Sequence, residues 1–118
     1  MKRYEINNSN LTPKEKMVWD ILKERYGKVN SITSGEIYKM TGIDRFQLAG
    51  IVQTLRLQYN VPVCANKWGE NKGYFLPTNQ QEIHATMDEL EAQASKLIDV
   101  VSVLYNAGKE LSRIEATS

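Results

Sequence analysis

Glu36-Ile37-Tyr38-Lys39-Met40-Thr41-Gly42-Ile43-Asp44-Arg45-Phe46-Gln47-Leu48 reads as a short helix, a tight turn and the start of a second helix. Gly42 stops the first helix, Ile43 is the apolar plug of the turn, and Asp44 is a polar cap for the second helix. Thr33 and Glu36 have capping-box spacing, so the short helix opens there and runs two turns to Met40. The second helix is expected from about Asp44 to Tyr59, with Leu48, Ile51, Val52, Leu55 and Tyr59 on its buried face. A turn of this kind projects the second helix outward from its domain.

Working outward, Thr12-Pro13-Lys14-Glu15 opens an earlier helix: a capping threonine, a proline at the first helical position and a glutamate that can reach back. Met17, Val18, Ile21, Leu22 and Tyr26 form its apolar stripe, and Gly27 ends it. Val29 to Ile32 alternates like a single short strand. Downstream, Pro62-Val63-Cys64-Ala65 and Gly73-Tyr74-Phe75-Leu76 read as two strands, joined through the polar loop Asn66-Lys67-Trp68-Gly69-Glu70-Asn71-Lys72 as a β-hairpin. Pro77 closes that hairpin. Thr78 or Asn79 then caps a long helix reaching roughly Leu111.

The order helix, strand, helix, helix, strand, strand resembles the winged helix-turn-helix proteins common in phages and prophages. The Thr41-Gly42-Ile43 turn, the proline-containing strand and the Gly73-Tyr74-Phe75-Leu76 strand carry the likeness, which covers residues 11–112 and includes the long helix. Tyr38 departs from it, standing where such turns usually hold Ala or Gly. The resemblance implies DNA binding linked to transcription or replication. The expected fold is mainly α with a small β-hairpin wing: a flexible segment 1–10, a winged helix-turn-helix domain 11–77, and a coiled-coil-like dimerisation helix and tail 78–118.

Position and chemistry nominate the DNA contacts. Arg45 and Gln47 open the third helix, where Arg can fork onto guanine and Gln can pair with adenine; their bland reading is solvent exposure at a helix start. Opposite the buried face lie Phe46, Gly50, Gln53, Thr54 and Leu57, with Arg45 and Arg56 toward the flanks. Gln53 and Thr54 can read bases, and Leu57 can meet thymine methyls. Lys67 and Lys72 suit phosphate contacts, which position without specifying. A face with no central charge and two large apolar residues also fits a protein contact, so Phe46, Leu57 and Trp68 are the alternative contact set. Trp68 either folds back over the hairpin or anchors such a partner.

The long helix carries Ile83, Met87, Leu90, Ala94, Leu97, Val101, Leu104, Gly108 and Leu111, in steps that alternate four and three. That is an unbroken heptad seam, and the dimerisation set expected from it is Ile83, Met87, Leu90, Leu97, Val101, Leu104 and Leu111. Ile98, Val100 and Val103 broaden the stripe, which points to a bundle or partial docking in the middle.

Charge divides along the chain. Residues 1–77 hold 12 Lys/Arg against 7 Asp/Glu, and residues 78–118 hold 3 against 7, within a net charge of +1. A basic globular half with an acidic tail fits a polyanion-facing domain and a partner-facing helix. The lone Cys64 excludes an intramolecular disulfide, and with His84 as the single histidine no Cys/His metal spacing arises. No metal, cofactor or catalytic set is expected, so an enzyme is not. No leader-like or membrane-spanning segment is present, which implies a cytoplasmic protein without a membrane partner. The reading is a dimeric, sequence-specific binder of duplex DNA, a phage- or prophage-type transcriptional or replication regulator. The alternative is a winged-helix protein that binds and inhibits or redirects a host enzyme.

Overall fold

A computed structural model describes residues 4–117. The chain divides into two units, Met1–Thr86 and Met87–Ser118. It is mainly helical: α1 (Pro13–Leu22), α2 (Ser34–Thr41), α3 (Arg45–Tyr59) and the long α4 (Gln80–Thr117), with an antiparallel hairpin of β1 (Cys64–Asn66) and β2 (Gly73–Phe75).

Local chemistry sets the helix ends in the first unit. Thr12 with Glu15 and Thr33 with Glu36 both close capping boxes, so two orphan donors at each helix start are satisfied reciprocally. The carboxylate of Asp44 accepts from the Phe46 and Gln47 N–H groups, each at 2.9 Å, and starts α3. Gly42 takes the left-handed conformation that ends α2, its N–H donating to the Tyr38 carbonyl at 2.7 Å. Ile43 is fully buried in the turn.

One core unites these helices: Val18, Trp19 and Leu22 from α1, Ile37 from α2, Leu48, Ile51, Val52 and Leu55 from α3, and Ile32, Val61, Val63 and Leu76 from the connections. The α1 stripe differs from expectation. The helix stops at Leu22, and its buried face centres between Val18, Leu22 and Trp19, so Trp19 is inside and Met17 outside. Tyr26 reaches the core from the following turn instead. Of the segment 1–10 expected to be flexible, residues 1–3 lie outside the described residues and residues 4–10 are tied back. The Tyr4 N–H donates to the Tyr26 hydroxyl, the Tyr59 hydroxyl donates to the Asn10 carbonyl, and Tyr4 and Ile6 pack on the core.

The expected strand at Val29 to Ile32 is a 3-10 turn over Lys28–Asn30 followed by a single bridge residue, Ile32. Gly27 has a positive φ of 87° and the Asn30 amide donates to the Tyr26 carbonyl, which together curl the chain and leave Val29 exposed. Ile32 and Tyr74 exchange two backbone hydrogen bonds, at 2.9 and 2.8 Å. Beyond Tyr74, the Leu76 N–H donates to Arg25 and the Leu76 carbonyl accepts from Gly27, both at 2.7 Å. Strand β2 therefore has β1 on one edge and these two segments on the other. On the β1 side, the strand starts at Cys64 rather than Pro62. Pro62 has no N–H to give, and the Val63 carbonyl is taken by the Arg56 Nε at 2.9 Å.

The first two turns of α4 belong to this unit. The Asn79 side chain accepts from the Glu82 N–H, while the Glu82 carboxylate accepts from the N–H groups of Thr78 and Lys28. Thr86 is buried, with its hydroxyl shared between the N–H and carbonyl of Ala65 in β1. These bonds explain why the division falls after Thr86 rather than near residue 77. From Met87 onward α4 is a separate unit, and it continues to Thr117, past the expected end at Leu111. Among the described residues, no helix is long and apolar enough to cross a membrane.

Two features of this unit can be checked by unfolding. Gly73 has φ 126°, and a Cβ there would collide with the Ile32 carbonyl, so Gly73→Ala must break the Ile32–Tyr74 exchange. Urea unfolding of Gly73→Ala should show a loss of at least ~2 kcal/mol, from backbone strain plus the lost bonds. For Glu82, partial burial raises the pKa, but the donors from Thr78, Lys28 and Asn79 outweigh it and hold the carboxyl below the ordinary glutamate value. A folded pKa below the unfolded one stabilises the native state above the unfolded value, and that stability is lost as pH falls through the folded pKa. Acid titration of the unfolding midpoint should therefore be shallower for Glu82→Gln than for the parent. Part of the slope should remain, because hydrogen bonds from Thr33 lower the Glu36 pKa as well.

Candidate nucleic-acid interface

The outer face of α3 is a ridge at helical spacing. Phe46, Gly50, Gln53 and Leu57 succeed one another at steps of four, three and four, and all four are exposed. Large apolar side chains stand at its ends, 75% exposed at Phe46 and 71% at Leu57. Its middle is small and polar: Ala49, Gly50 and Gln53. A Cβ added at Gly50 would meet nothing within 4 Å, so the backbone lies open to close approach. Arg45 and Gln47 are exposed at the amino end, and the Arg45 guanidinium carbon sits 5.1 Å from the centre of the Phe46 ring. That stacking restrains the guanidinium without consuming its donors.

Two of the expected helix contacts also make hydrogen bonds within the fold. The Arg56 Nε donates to the Val63 carbonyl, and the half-buried guanidinium has its pKa lowered by burial. Position 56 lies one turn after buried Val52 and shares its side of the helix, so Arg56 fastens the start of the hairpin rather than joining the outer ridge. Thr54 is half-buried and its hydroxyl donates to the Gly50 carbonyl at 3.1 Å.

The hairpin supplies the second surface. The Asn66 amide donates to the carbonyls of Trp68 and Asn71, each at 2.8 Å, and the Ser31 hydroxyl contacts the carbonyls of Asn71 and Lys72. The loop backbone is thus internally braced and tied to the helical side. Lys67 and Lys72 are both exposed. With Thr33, Ser34, Ala65, Asn66, Gly73 and Tyr74 they line an open cleft of about 320 Å³. The amino end of α2 therefore lines the same cleft as Lys67 and Lys72, with the Glu36 carboxylate accepting from the Thr33 N–H at that helix end. Thr33 and Ser34 were not among the expected contacts. Their capping box was legible, but its position beside lysines more than thirty residues later was not.

Trp68 does not fold over the hairpin: its side chain is 74% exposed. It joins Phe46 and Leu57 as a large apolar side chain in water. Cys64 is buried, and desolvation raises its thiol pKa above the usual value. Among the described residues, no group of three or more His, Cys, Asp or Glu is placed to hold a metal ion.

In the second unit, the seam residues lie at the surface of the single chain. Met87, Leu90, Leu97, Val101, Leu104 and Leu111 are all exposed, as are Ile98, Val100, Val103, Tyr105 and Ile114 beside them. Ile83, the first seam position, is half-buried in the first unit.

Compared with protein-family models, curated proteins and solved structures, the chain has no match.

Proposed function

We propose that this chain is a winged helix-turn-helix protein that binds duplex DNA as a homodimer, a transcriptional or replication regulator of the phage or prophage kind. The observation that carries the reading is the pairing of two surfaces on one domain. The α3 ridge is small and polar in its centre with Arg45 and Gln47 at its start, and Lys67 and Lys72 share a cleft with the amino end of α2. In this reading α3 lies in the major groove. Arg45, Gln47 and Gln53 meet base edges, while Ala49 and Gly50 allow close approach and Leu57 meets thymine methyls. The hairpin lysines hold phosphates and set the register. The tail supplies the second copy, since operator recognition by a two-fold dimer doubles the contacts.

A second reading has its own support. Phe46, Leu57 and Trp68 are each large, apolar and exposed, which is the composition of a protein-contact hot spot. In that reading the same domain docks on and redirects a host enzyme, and nucleic acid is not its ligand.

Binding measured against salt separates the two. Lys67→Ala and Lys72→Ala should each weaken duplex binding on every sequence and reduce the slope of log affinity against log salt by about one. Arg45→Ala and Gln47→Ala should relax preference at particular base pairs by ~1–3 kcal/mol, with Phe46→Ala and Leu57→Ala costing less. Affinity and salt slope indifferent to all four polar changes, with activity lost in Phe46→Ala and Leu57→Ala, would transfer the protein to the partner-binding class.

Self-association is checked separately. The seam leucines each contribute ~1.5–3 kcal/mol when buried, so Leu97→Asp should sediment as a monomer while the first unit keeps its unfolding transition. A Leu97→Asp protein that remains dimeric would remove the tail from the interface.

A further inference from the structure

The seam of α4 has two columns of unequal bulk. One holds Leu90, Leu97, Leu104 and Leu111; the other holds Met87, Ala94, Val101 and Gly108. All eight are exposed in the single chain, and a Cβ added at Gly108 would meet nothing within 4 Å. How two copies meet is decided by which column faces which.

In a parallel pair each position faces itself. Leucine would meet leucine, then Ala94 would meet Ala94 and Gly108 would meet Gly108, so wide layers would alternate with layers that have almost no side chain. Unfilled layers of that kind are destabilising cavities. In an antiparallel pair each small-column residue faces a leucine instead. One register matches all eight seam residues of this unit. Met87 meets Leu111 of the second copy, Ala94 meets its Leu104, Val101 its Leu97 and Gly108 its Leu90. Every layer then holds one leucine and one partner of different size, and none is empty.

Two further features agree. The two-fold axis of this register passes near residue 99. Ile98 therefore meets Ile98 of the second copy, and Val100 meets its Val100, so the apolar flanks cover one another. A parallel pair would set Ile98 against Gln93. Charge is also uneven along the helix: Asp88, Glu89 and Glu91 lie at its start, whereas Lys109 and Arg113 offset Glu110 and Glu115 near its end. Antiparallel pairing brings the acidic start beside the two bases. Parallel pairing would gather six carboxylates at one end.

We infer that the α4 helices of two copies pair antiparallel, with Val101 of each packed on Leu97 of the other. This rests on the self-association proposed above and adds its orientation and register. The broad apolar flank at Ile98 and Val100, expected to mark a bundle or partial docking, is then the centre of a two-helix interface.

The test uses the full chain with one spin label at Ala116→Cys, an exposed position off the seam, with buried Cys64 left in place and the unsubstituted protein as the labelling control. Ala116 lies seventeen residues from the axis, so pulsed dipolar spectroscopy should give a label separation of ~51 Å at ~1.5 Å per residue. A separation under ~30 Å, with a dimeric mass in sedimentation, would overturn the orientation and leave self-association standing. A long separation differing by ~10 Å, one heptad of slippage, would overturn the register. A monomeric mass with no dipolar coupling would overturn the pairing and the self-association together.

Discussion

The first unit depends on one close approach: the backbone of β2 lies against Ile32, and only a residue without a Cβ can stand at Gly73 to allow it. The two hydrogen bonds between Ile32 and Tyr74 join the hairpin to the segment that leads directly into α2. Because Thr33 is the next residue after Ile32, the same contact sets the amino end of α2 beside the base of the hairpin. The cleft lined by Thr33, Ser34, Lys67 and Lys72 is a consequence of that adjacency. The further bridge at Leu76, through Arg25 and Gly27, keeps the returning chain on the same edge and delivers it to the start of α4.

The outer ridge of α3 depends on a different constraint. Leu48, Ile51, Val52 and Leu55 occupy the core-facing side so fully that the opposite side has no structural duty. Arg56 marks the border: one step round the helix from the ridge, its Nε donates to the Val63 carbonyl. What stays free is an uncharged, narrow-waisted face with Arg45 at one end. Small residues at Ala49 and Gly50 permit a close partner, and the apolar ends supply contact area. These properties serve a groove wall or a protein surface equally well, which is why the hairpin lysines carry the weight in favour of nucleic acid. Exposed lysines of this kind suit phosphate contacts, which position without specifying.

The tail obeys a simpler rule. From Met87 onward the helix has no other element of its own unit to cover it, and its exposed leucines recur every seven residues. Unequal bulk in the two columns makes orientation a packing question. A leucine opposite glycine fills a layer that glycine opposite glycine leaves empty.

Much of the fold was legible in the chain because it is written in local chemistry. The capping boxes at Thr12 and Thr33, the glycine stop at Gly42, the buried plug Ile43 and the period of α3 each involve residues within a turn or two of one another. The heptad columns are legible for the same reason, being a property of one helix. Long-range pairing was not legible. Nothing local says that Ile32 bridges Tyr74, that Arg56 turns inward to Val63, that Glu82 and Thr86 fasten α4 to the first unit, or that Trp19 rather than Met17 faces the core. Local sequence determined the helices, their ends and the amphipathic faces, through short-range hydrogen bonding and period. Tertiary structure alone decided which polar side chains were consumed in holding the fold and which were left to meet a partner, since that depends on backbone groups brought together from distant parts of the chain.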